Sequence, residues 1–113
     1  MQVLELFEKA EHKEILLAMS WINAGELVYL VSREHGRDSA KSMLADLNIL
    51  PITLYEATEE RILSAAWIKA DYPISYADAF AVGLAKELKA KLVSGDPEFK
   101  SVEKVVSMLW LEK

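Results

Sequence analysis

Four short apolar runs, Glu14–Met19, Pro51–Tyr55, Lys91–Val93 and Val105–Leu111, alternate with segments whose apolar residues recur at helical spacing. That alternation limits the fold more than any other feature. A strand followed by a crossover of about a dozen residues or more returns to the sheet as a parallel neighbour. With 113 residues, the chain is long enough for one hydrophobic core and too short for two. Residues 1–113 are therefore expected to form a single α/β domain with a short, mostly parallel sheet.

The helical segments carry their own boundary signals. Val3, Leu4, Leu6 and Phe7 make a short first helix that ends near Glu11-His12-Lys13. Ser20 can stop the first strand and start the helix running from Trp21 to His35, and Gly36 is a natural stop. The periodicity of Ile22, Leu27, Leu30 and Val31 predicts that this helix buries a broad face. Arg37 to Leu47 is a further helix, with Ala40, Met43, Leu44 and Leu47 on one side. Thr58 followed by Glu59 and Glu60 opens a helix carrying Ile62, Leu63, Ala66 and Trp67, which Asp71-Tyr72-Pro73 terminates. Ser75 to Lys89 is the fifth helix. Its small residues Ala77, Ala81, Gly83 and Ala85 permit close packing, so it is expected to be central.

Composition excludes several classes of chemistry. There are no cysteines, which removes disulfides, thiolate metal sites and cysteine nucleophiles together. A metal must then be held by oxygen or by histidine. His12 and His35 lie far apart and read as surface residues. The net charge of -5 is not that of a basic nucleic-acid module, although a bound cation changes the balance at an acidic site. No apolar run approaches the roughly 20 residues of a membrane span, and Met1–Glu5 lacks the basic start of a secretion signal. The expected location is the cytoplasm.

Two acids stand at the ends of predicted elements. Asp78 falls in the first turn of the helix that Ser75 caps, where the helix dipole favours negative charge. Asp96 follows the strand Lys91–Val93 in Ser94-Gly95-Asp96-Pro97, and ligands in parallel α/β sheets sit beyond the carboxyl ends of strands. Each also has a purely structural reading, Asp78 as a first-turn acid and Asp96 as an Asx turn. Glu26, in Asn23-Ala24-Gly25-Glu26 among apolar neighbours, adds a third carboxylate. If partly buried it needs a partner, and a divalent cation is one. Gly25 beside it leaves room for close approach by another element or a ligand.

Taken together, Asn23-Ala24-Gly25-Glu26, Ser75-Tyr76-Ala77-Asp78-Ala79-Phe80 with Ala85-Lys86-Glu87-Leu88, and Leu92-Val93-Ser94-Gly95-Asp96-Pro97-Glu98-Phe99 resemble the PIN domain, specifically the VapC-type toxin ribonucleases. The resemblance implies a three-layer α/β/α fold and an acidic cluster that binds Mg²⁺ or Mn²⁺. It also implies cleavage of single-stranded RNA and neutralisation by a small VapB-like antitoxin. Carried over by position, Glu26, Asp78 and Asp96 are the catalytic and metal-binding acids, with Asn23 and Ser94 in support.

Members of that family usually begin with a strand bearing an Asp in a Leu-Asp-Thr-Ser-like pattern. This sequence starts at the later segment Val3 to Ala10. An N-terminally truncated PIN domain is the expectation, with metal-dependent cleavage impaired by the missing acid and a homodimer that covers exposed strand edges. The alternatives are a catalytically silent PIN-like module that dimerises or binds an antitoxin, and an unrelated α/β scaffold whose acids are caps and turns.

Overall fold

The computed structural model describes residues 3–111. Its elements follow the order α1 (Val3–Glu11), β1 (Leu17–Ser20), α2 (Trp21–His35), α3 (Arg37–Ile49), β2 (Ile52–Tyr55), α4 (Glu59–Asp71), α5 (Tyr76–Leu88), β3 (Leu92–Ser94), a 3-10 helix (Pro97–Val102) and β4 (Met108–Trp110). The boundary residues act through identifiable bonds. Ser20 Oγ accepts from the Ile22 amide, Thr58 from Arg61 and Ser75 from Asp78, each satisfying a donor that a helix start leaves unpaired. Gly36 adopts φ 93° between α2 and α3, a left-handed value that favours glycine.

Both strand pairings are parallel. β1 pairs with β2 from Leu17↔Ile52 to Ser20↔Tyr55, and β3 with β4 from Leu92↔Met108 to Ser94↔Trp110. Among the described residues the strands form two separate two-stranded ribbons. Helix α5 packs against β1 and β3, one strand of each ribbon, while α2 contacts β1 and α3 contacts β2. Helices laid against short parallel strands give the layered α/β/α arrangement, with α5 as the member common to both ribbons.

The main core surrounds α5, which buries Ala79, Phe80, Val82, Gly83, Leu84 and Ala85. Phe99, Val102 and Val106 close it from the segment between β3 and β4, and Ala65 and Ile68 from α4. Small residues make the α4–α5 contact possible, since a Cβ on Gly83 would lie 3.2 Å from Ser64 Oγ.

The burial of α2 departs from expectation, and α4 turns its largest apolar residues outward. Helix α2 fully buries only Ala24, leaving Ile22 and Leu27 exposed. It lies between α3 and α5, so its flanks are covered and much of its apolar periphery is not. In α4 the core side is Ala65 and Ile68 rather than Ile62, Leu63 and Trp67, and Trp67 is 68% exposed. Gly83 meets Ser64 and Ile68 of α4, so that side of the helix packs on α5 while Ile62, Leu63 and Trp67 stay exposed.

Candidate metal centre

The amino end of α5 and the carboxyl end of β3 lie together. Asp78 stands in the first turn of α5, its amide donating to Ser75 Oγ at 3.1 Å. Beyond β3, the Asp96 amide donates to Ser94 Oγ at 3.0 Å, and Asp96 Oδ1 accepts from the Glu98 amide at 2.9 Å. Asp96 thus caps the 3-10 helix, with Pro97 at its start and Glu98 in its first turn. Carboxylate oxygens of Asp78, Asp96 and Glu98 all lie within 4.8 Å of one another.

Asp78 is half-buried, whereas Asp96 and Glu98 are exposed. Burial pushes the Asp78 pKa above the ordinary aspartate value, the Ser75 hydroxyl opposes that shift, and the negative charge of Asp96 adds to it. A cation reverses the penalty, because it turns repelling carboxylates into ligands. The donor set is all oxygen, which suits hard ions such as Mg²⁺ or Mn²⁺. Octahedral Mg²⁺ places opposite oxygens about 4.2 Å apart, slightly closer than the outer limit of this group, so small side-chain movements accommodate the ion.

Asn23 fixes the neighbouring helix. Its Nδ2 donates to the Ala77 carbonyl at 2.9 Å, tying the start of α2 to the residue before Asp78. Ser94 has a comparable local task through the Asp96 amide. Both supporting positions therefore have explicit structural contacts.

The geometry of Glu26 differs from expectation. It is exposed rather than partly buried, and it does not belong to the 4.8 Å group. A Cβ on Gly25 would meet nothing within 4 Å, so that glycine mediates no close approach among the described residues. The i, i+3 spacing does put Glu26 on the Asn23 side of α2. Glu98 takes the third place in the cluster. The readable signal was Asp96-Pro97-Glu98 as a helix start, a pattern that a turn reading of Gly95-Asp96-Pro97 conceals.

The PIN domain family model matches residues 1–105. The chain belongs to the PIN domain family. This PIN domain is similar in fold to a chain of a solved toxin-antitoxin complex from Klebsiella pneumoniae, with a TM-score of 0.59 and 13% sequence identity over 81% of this chain and 71% of that chain. No curated protein matches it. Membership gives the acidic cluster its context, since PIN domains are generally dependent on divalent metals.

Proposed function

We propose that this PIN domain is a metal-dependent endoribonuclease of the VapC toxin class, acting on single-stranded RNA in the cytoplasm. The observation that carries the reading is the convergence of Asp78, Asp96 and Glu98 at the meeting point of α5 and β3. These three residues would hold Mg²⁺ or Mn²⁺. A bound ion there supplies Lewis-acid activation of water and neutralises charge on the phosphodiester. The chain's own residues supply position: Ser75 and Ser94 anchor the backbone at two of the acids, and Asn23 locks α2 to α5. Glu26, on the Asn23 side of α2, is assigned as an outer carboxylate that accepts a proton from water.

The partners we assign are the RNA substrate, a small VapB-like antitoxin and a second copy of the chain. Support for a protein partner is the apolar surface, including Leu16 at 95% exposure and Leu63 and Trp67 on α4. The fold likeness to a chain of a toxin-antitoxin complex points the same way.

The test is cleavage of a fluorescent single-stranded RNA with Mn²⁺ and with chelator, alongside calorimetric titration of Mn²⁺. Cleavage that requires the ion and falls about 100-fold or more in Asp78→Asn, Asp96→Asn and Glu98→Gln supports the assignment, since misplacement alone costs that much. Mn²⁺ binding without cleavage by the unmodified chain refutes the nuclease reading and leaves a silent binding module.

A further inference from the structure

A cleft of about 550 Å³ separates the outer parts of α2 and α3. Val28, Ala40 and Leu44 give it an apolar lining, and Arg33, Arg37 and Lys41 give it three cations with no carboxylate among the lining residues. In a chain of net charge -5, the two of these cations that lack a carboxylate partner among the described residues, Arg37 and Lys41, favour an anionic occupant. Arg33 is engaged locally: it lies over the Tyr29 ring at 5.1 Å, its Nη1 donates to the Tyr29 hydroxyl at 2.8 Å, and its Nη2 pairs with Glu34 Oε1 at 3.7 Å. Arg37 and Lys41 are exposed and, among the described residues, form no ion pair.

The cleft is not a continuation of the acidic site. At about 100° per residue, Gly25, Val28, Tyr29 and Ser32 face the side of α2 broadly opposite Asn23, whose side chain reaches α5. An apolar lining with a cationic rim suits an amphipathic protein segment better than a nucleic-acid backbone.

Helix α1 has the matching chemistry. It buries Leu6 and Ala10, leaving Leu4, Glu8 and Glu11 exposed at i, i+4 and i+7, one stripe directed away from its own chain. Leu44, Lys41 and Arg37 form the corresponding stripe on α3, read in the opposite direction. At 1.5 Å per residue, Leu4 to Glu11 and Leu44 to Arg37 each span about 10.5 Å. Antiparallel docking therefore sets Leu4 against Leu44, Glu8 against Lys41 and Glu11 against Arg37 in one register.

We propose that α1 of a second copy docks antiparallel on α3 along this cleft. The inference rests on the self-association proposed above and specifies the surfaces that make it. One contact from a nine-residue helix is small for a stable interface. Reciprocal exchange, with each copy contributing one α1 and one cleft, doubles the contact and closes the assembly as a dimer.

Sedimentation velocity on the full chain at micromolar concentration, at about 0.1 M and about 1 M salt, tests this arrangement, because the screening length falls from about 10 Å to 3 Å between them. The expected result is a dimer weakened by salt. Arg37→Glu with Lys41→Glu, and separately Glu8→Lys with Glu11→Arg, should each weaken it roughly tenfold or more as paired charges become repelling ones. Combining all four substitutions should restore it. Circular dichroism checks that each variant is folded, and Leu44→Ala serves as a charge-free second probe expected to weaken the dimer. A monomer at every concentration overturns both self-association and this interface. A dimer unchanged by the charge reversals overturns the interface alone, as does failure of the fourfold variant to recover. Lower RNA affinity in the Arg37/Lys41 variant with an unchanged dimer also overturns it, reassigning the cleft to nucleic acid.

Discussion

Replacing Asp78 by asparagine should change stability in opposite directions with and without a divalent cation. In the metal-free protein the Asp78 carboxylate lies within 4.8 Å of carboxylate oxygens on Asp96 and Glu98. In water at that separation each pair repels by about 0.9 kcal/mol, reduced to about 0.5 kcal/mol by salt at physiological strength. Two neighbours at this outermost separation set a scale of about 1 kcal/mol, already discounted for solvent screening. For 113 residues this corresponds to a rise of about 4 °C in melting temperature. Relief of the burial penalty on Asp78 acts in the same direction.

Mn²⁺ at ten times its dissociation constant stabilises a binding-competent chain by about 1.4 kcal/mol, or about 6 °C here. Asp78→Asn removes one of the three proposed ligands and should lose most of that gain. Differential scanning fluorimetry in chelator and across a Mn²⁺ series should therefore show the variant melting higher without metal and lower with it. The pH dependence has a fixed sign. Because the folded pKa of Asp78 is raised, its penalty is present above that pKa and is relieved as pH falls through it. The metal-free advantage of asparagine should be full at pH 7 and gone below about pH 4. A variant less stable than the parent in chelator, or one keeping the full Mn²⁺ shift, refutes the reasoning.

Asn23→Ala removes the bond to the Ala77 carbonyl and should cost about 1 kcal/mol in urea unfolding, with weaker Mn²⁺ binding by calorimetry. Gly83→Val forces a branched side chain toward Ser64 Oγ, which a Cβ already approaches to 3.2 Å; a loss of roughly 1–3 kcal/mol is expected from the same unfolding assay. Val82 is fully buried in α5, and Val82→Ala should cost about 1.5–3 kcal/mol. Glu87 is held below the ordinary glutamate pKa by its hydrogen bonds to Arg61 and by the guanidinium charge. Its contribution is present above the unfolded pKa and lost as pH falls through the folded one, so Glu87→Gln should flatten the acid limb of a stability-against-pH curve.

Much of this fold was legible because its punctuation is local. Ser20, Gly36, Thr58 and Ser75 mark their helices through bonds or backbone angles within a few residues of each boundary. The short strands were legible as apolar runs, but their partners were not, since pairing joins residues as distant as Leu17 and Ile52. Helix faces were harder. The apolar residues of α4 did not by themselves single out a core side, which packing of Ser64 and Ile68 on Gly83 sets, leaving Ala65 and Ile68 buried and Trp67 exposed. The acids divide in the same manner: Asp78 and Asp96 could be found from caps and turns, while Glu98 required knowing that Pro97 starts a 3-10 helix.

The sequence by itself determined the α/β class, the order of the α-helices and strands and the segments bearing Asp78 and Asp96, because periodicity, caps and breakers act over short stretches of chain. Tertiary structure alone decided that the described strands form two ribbons, that Glu26 stands exposed while Glu98 joins the acids, and that α2 and α3 leave a cationic cleft. Those outcomes depend on which faces pack and how closely backbones approach, a competition among distant residues that no local pattern encodes.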